Sequence, residues 1–123
     1  MARNMNTSKA FTSRTYHTAL TTTASTAVYT VPVNHTANVQ CIHLTNVGAG
    51  NATFHVHVVS VALGLTMHLF HLVTIASKGY LTIDSLPLNL GAGDVVQVTA
   101  DTADHIAVTI SADEIYDPNS THG

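Results

Sequence analysis

Apolar and polar residues alternate with a period of two through the second half of the chain. Val96, Val98 and Ala100 share one parity against Val95, Gln97 and Thr99, and Ile106, Val108 and Ile110 share one parity against Ala107, Thr109 and Ser111. This alternation predicts two strands, each with one face on a core. The connector, residues 101–105, is short and polar, which predicts that the two strands pair as an antiparallel hairpin. Upstream, Gly91 and Gly93 supply positions that accept positive φ, and Asp94 suits the exit of a turn.

The first half continues the pattern. Residues 28–33 form an apolar, β-branched segment whose Pro32 belongs at an edge or a strand end. Residues 39–46 predict a strand with Ile42 and Leu44 on one face and Val39, Cys41 and His43 on the other. Asn46, Gly48, Gly50 and Asn51 mark a turn. Phe54, Val56 and Val58 then alternate with His55, His57 and Val59, so both histidines project from one face of a strand. Residues 61–72 carry enough apolar side chains for a helix with Leu65, His68, Leu69 and Leu72 on one face. Gly64, the missing acidic cap and the β-branched continuation Val73, Thr74 and Ile75 favour a strand instead. Seven or eight short strands with turns of Gly, Asn, Asp and Pro, and no convincing helix, predict an all-β protein. Its expected architecture is a single antiparallel β-sandwich, jelly-roll-like.

Residues 1–26 read differently. They are rich in Thr, Ser and Ala and offer few large apolar side chains, so they are expected to form an extended N-terminal arm. That arm is either flexible or ordered against a neighbouring subunit, with Phe11 and Tyr16 as anchors. The sandwich is then expected over residues 27–117, with a C-terminal tail at 118–123.

Composition narrows the function. The chain has 123 residues, enough for one domain with its own core. Only 9% are charged, far below the roughly 25% of an ordinary soluble domain, and a surface so poor in charge is one that expects to be covered. Four Lys and Arg, scattered at positions 3, 9, 14 and 78, form no basic patch for a nucleic-acid backbone. No apolar run approaches the ~18 residues that span a bilayer, and no signal-peptide pattern follows Met1, so no membrane partner and an intracellular product are expected. Cys41, the single cysteine, is expected as a small core residue.

Several of these segments together resemble a known family. They are Val28-Tyr-Thr-Val-Pro32, Asn34 through Ile42-His-Leu-Thr-Asn46, Asn51-Ala-Thr-Phe-His-Val56, Leu86 through Leu90-Gly-Ala-Gly-Asp-Val-Val96, and Ile110-Ser-Ala-Asp-Glu-Ile115. In this order they are similar to the small β-sandwich structural proteins of tailed bacteriophage virions. The resemblance covers roughly residues 27–116 and lies in many short matches rather than one motif. It implies a virion component without enzymatic activity, assembled in the host cytoplasm. The first expectation is a capsid decoration (cement) protein that binds itself, as a homotrimer, and the major capsid protein. The alternative is a small tail or head-tail accessory or adhesive protein. The chain departs from the family pattern in its histidine-rich middle, from Phe54 to His71.

Candidate chemistry centres on those histidines. Nine are present, more than all Lys and Arg together. His55 and His57 have the spacing of two metal ligands on one strand, which on a jelly roll resembles the first cupin motif. The acidic residue that should follow is missing and no second cupin motif is visible, so a cupin-like metal enzyme ranks below the structural reading and no cofactor is expected. Glu114 is the only Glu, which disfavours paired-carboxylate catalysis. No nucleophile elbow or phosphate loop is present. The residues singled out for contacts between subunits are Phe11, Tyr16, His55, His57, His68 and His71.

Overall fold

The computed structural model describes residues 11–61, 63–84 and 88–116, and its regular elements there are all strands. In chain order they are β1 (Phe11–Ala19), β2 (Thr26–Thr30), β3 (His35–Asn46), β4 (Ala52–Ser60), β5 (Leu65–Ile75), β6 (Tyr80–Ile83), β7 (Leu88–Leu90), β8 (Val95–Ala100) and β9 (Ile106–Tyr116). One sheet runs β1-β9-β3-β6, with β7 also paired to β3, and the other runs β2-β8-β4-β5. All pairings are antiparallel. Apart from the short β7, these are the eight strands and two Greek keys of a jelly roll, as the alternating sequence led us to expect.

The core lies between the sheets. Ile42 and Leu44 of β3, Phe54, Val56 and Val58 of β4, Val96 and Val98 of β8, and Ile106, Val108 and Ile110 of β9 are all buried. Burial of each such side chain contributes roughly 1.5–3 kcal/mol. The segment 61–72, for which a helix was the alternative, runs into the edge strand β5.

The expected hairpin does not form. β8 pairs with β2 and β4, whereas β9 pairs with β1 and β3 in the other sheet. Residues 101–105 therefore cross from one sheet to the other. Asp101 N–H donates to Thr53 O and Asp104 N–H to Leu20 O, both at 2.9 Å. Alternation reports which face of a strand is buried and is silent about which strand lies beside it, so two consecutive strands can face each other across the core.

Two further expectations are corrected. Residues 11–19, assigned to the arm, form β1, which pairs residue for residue with β9 from Phe11↔Ile115 to Ala19↔Ala107. Thr-rich sequence lacks bulk for a core of its own, yet β-branched hydroxyl residues pair well across a strand. Residues 1–10 of the arm and the tail at 118–123 lie outside the described residues. In β3, a bulge between Val39 and Cys41 adds Gln40 as an extra residue. It returns Val39, Ile42 and Leu44 to one buried face and leaves Cys41 only half-buried. One inserted residue flips every side chain after it.

Glu114 is the feature that the alternation least predicts. It sits on the inward parity of β9 and is 3% exposed. Its Oε2 accepts hydrogen bonds from Tyr29 Oη at 2.8 Å and Tyr16 Oη at 3.0 Å, and its Oε1 accepts from Arg14 Nε at 3.1 Å. The two tyrosine rings pack with centroids 5.2 Å apart. One carboxylate thus ties β1 and β9 of one sheet to β2 of the other.

Removing that carboxylate leaves the Tyr29 hydroxyl buried without an acceptor. Glu114→Ala should cost about 2–4 kcal/mol, Tyr29→Phe about 1.5–3 kcal/mol, and Arg14→Ala less than about 1 kcal/mol because the Arg14 side chain is 55% exposed. Urea unfolding of the three variants checks the order. Burial, and then the bond to Glu114, push the ionisation of Tyr29 far above its ordinary pH of 10.0, and Tyr16 shifts in the same direction. The unfolded chain ionises these phenols first, so their contribution is complete below about pH 10 and is lost as pH rises further. Phenolate absorbance from Tyr16 and Tyr29 should therefore appear together with alkaline unfolding.

Candidate functional site

The two outer faces of the sandwich differ in kind. On the β1-β9-β3-β6 sheet, polar side chains satisfy one another across strands. Ser13 Oγ and Gln40 Nε2 donate to Asp113, His17 meets Thr109 at 3.0 Å, and His43 meets Thr82 at 2.7 Å. These polar groups are satisfied among themselves, and the exposed apolar surface beside them is the ring of Tyr80, stacked on His43 with centroids 5.5 Å apart.

The β4–β5 edge differs. β5 is the outermost strand of its sheet and packs chiefly on β4. Leu65 stands opposite Ser60, and Met67 opposite Val58, both buried positions of β4. Leu65 is nevertheless 56% exposed and Met67 38%. Val61 and Leu63 add exposed apolar surface in the turn that leads into β5, and Leu72 is 63% exposed further along. The turn is fixed from outside: Asp94 Oδ1 accepts from Val61 N–H at 2.9 Å while its Oδ2 accepts from Gly91 N–H at 3.0 Å. Gly93, at φ 87°, takes the left-handed position that the sequence led us to expect beside Asp94.

On the outward side of the same pair lie the four histidines. His57 pairs in register with His68 on one side and Gln97 on the other. Its Nε2 lies 2.6 Å from Gln97 Oε1, a carbonyl that only accepts, so Nε2 carries the proton. Its Nδ1 is a buried atom without a hydrogen-bond partner. His55 Nδ1 and His71 Nδ1 are 3.0 Å apart with ring centroids at 4.6 Å. His68 closes the group, with centroids 5.7 Å from His57 and 6.1 Å from His71. Burial, and then the neighbouring imidazoles led by His71, lower the pKa of His55 from 6.5. The ring is therefore neutral at neutral pH.

A bulge brings His71 to His55. The register of β4 and β5 passes from Val56↔Phe70 to Phe54↔Val73, so His55 faces two residues, His71 and Leu72. Leu72 takes φ 55°, a left-handed conformation that a bulky side chain adopts only at a cost. Sequence spacing paired His55 with His57; the structure adds a closer contact across strands, His55 with His71. The departure of the 70–73 stretch from strict alternation was the one signal of it.

The other two residues singled out from the sequence lie elsewhere. Tyr16 is half-buried within the chain against Tyr29 and Glu114, and Phe11 pairs with Ile115 in register. Among the described residues, no three His, Cys, Asp or Glu groups stand together at metal-binding spacing.

No family model and no curated protein sequence matches the chain. Solved structures do. A chain of the acidic stable capsid of Helicobacter pylori bacteriophage KHP30 superposes with TM-score 0.54 at 14% identity, covering 87% of this chain and 92% of that one. These likenesses establish the fold. A chain of the virus-like particle of extra small virus from the giant freshwater prawn Macrobrachium rosenbergii gives TM-score 0.50 at 11% identity, over 87% of this chain and 79% of that one. The Drosophila NLP core, described for pentamer formation and histone binding, gives 0.51 at 10% identity, over 84% and 96%. The jelly roll is thus shared by capsid subunits and by at least one protein of another kind, and function must be argued from surfaces.

The strain at Leu72 supplies a direct check. Leu72→Gly should raise stability by about 1 kcal/mol, because glycine accepts the left-handed conformation and little buried area is lost. A loss of stability in denaturant titration would show that Leu72 is not strained.

Proposed function

We propose that the chain is a non-enzymatic structural protein of a bacteriophage virion. More specifically, we infer that it is a decoration protein that self-associates, as a homotrimer, and binds the major capsid protein on the capsid lattice. The observation that carries the reading is the contrast between its faces. One sheet presents a satisfied polar ladder, and the β4–β5 edge presents exposed Leu65, Met67, Leu63 and Leu72 with almost no charge to keep other chains away. An uncovered edge strand with apolar side chains is a template for a second copy, and closed symmetric oligomers are the usual result.

The likeness to capsid chains of similar length supports the virion reading. Histone binding has less support, because a basic partner calls for dense negative charge and this chain has seven acidic residues in 123. Glu114, Asp94, Asp101 and Asp113 already accept hydrogen bonds within the fold. Many copies, each joined to the lattice by a modest interface, would stabilise a shell by avidity.

Sedimentation of the purified chain, followed by mixing with undecorated capsids, tests the proposal. A trimer that co-pellets with capsids is expected, and Leu65→Lys combined with Met67→Lys should leave a folded monomer. A wild-type monomer at high concentration would contradict the reading. Closed shells built from the chain alone would replace decoration by a shell-forming role.

A further inference from the structure

We propose that the Nδ1 atoms of His55 and His71 form a two-nitrogen clamp for a divalent transition-metal cation of octahedral or tetragonal preference, such as Ni2+ or Cu2+. Two nitrogens each about 2.1 Å from one ion, at right angles, stand about 3.0 Å apart, whereas a tetrahedral ion spreads them to about 3.4 Å. The observed separation is 3.0 Å. Imidazole nitrogen is a donor that suits these ions, and Irving–Williams order favours Ni2+ and Cu2+ over the earlier divalent metals.

Two further observations point to the same place. The β5 bulge holds His71 against His55 at the cost of a left-handed Leu72, and strained bulges are a recurrent means of aiming a functional side chain. The rings come from different strands, so the backbone pairing of β4 and β5 sets their separation before any ion arrives.

Proton bookkeeping closes without a co-reactant. In the ion-free pair one Nδ1–H donates to the other Nδ1 lone pair. The donating ring presents its Nδ1 lone pair once its proton moves to Nε2, a change of tautomer with no net proton loss. Among the described residues no third donor group stands at ligand spacing, so water fills the remaining positions, which the exposure of His71 permits.

The inference concerns a single chain and does not depend on the virion reading. Its test is a calorimetric titration of Ni2+ into the full chain near neutral pH. One Ni2+ per chain is expected, with affinity reduced roughly ten-fold or more by His71→Gln or by His55→Gln, and by no more than about two-fold in His17→Gln or His43→Gln. His71 is exposed, so its replacement leaves the core untouched. Ni2+ binding that is no tighter in the wild type than in His71→Gln, or that weakens as much in His17→Gln, would overturn the proposal and leave the pair a hydrogen bond between neutral rings.

Discussion

A buried carboxylate organises this molecule. Glu114, the only Glu in the chain, points into the sandwich and is held by two phenols and a guanidinium from β1 and β2. A carboxylate taken from water costs several kcal/mol unless its lone pairs are filled, so β1 and β2 must be in place for β9 to fold as it does. That requirement explains why the N-terminal segment is a strand of the sandwich. Ala, Ser and Thr alone would not hold it there, but Arg14 and Tyr16 join it to the chain's most demanding acceptor.

Three of the six other acidic residues are used in a related way. Asp94 receives two backbone N–H groups and so fixes both the turn before β8 and the turn before β5. Asp101 receives Thr53 N–H at the crossing between sheets, and Asp113 collects Ser13 and Gln40 on the outer face. In a chain with so little charge, carboxylates used inside turns and between strands leave the surface to hydroxyls, imidazoles and aliphatic side chains. The outer polar ladder of one sheet satisfies itself. The β5 edge, which packs chiefly on β4, does not, and it leaves Leu65, Met67 and Leu72 exposed.

Much of this was legible in the sequence. Period-two alternation identified the strands at Phe54–Val59, 95–100 and 106–110, and the Gly91–Asp94 turn carried its own chemistry. Pairing was not legible: the same alternation fits a hairpin and a crossing between sheets, because both bury one parity. Face assignment failed where one inserted residue, Gln40, shifted the parity of β3, since a bulge leaves the local composition unchanged. His55 and His57 were visible as a pair on one strand. The closer partner, His71, lies 16 positions away, and its approach depends on a second bulge with a left-handed leucine that no propensity would place there. Tyr16 was noticed for its aromatic ring in a Thr-rich stretch, but its acceptor is 98 positions distant.

We propose that covering the β5 edge completes the molecule. Amide hydrogen exchange, compared between the assembled form and the dilute chain, tests it most directly. The account predicts that assembly slows exchange along β5 and the turn at 61–64, while the outer face of the β1-β9-β3-β6 sheet exchanges as before. Protection that falls on β1 or β3, with β5 exchanging equally fast in both states, would contradict it.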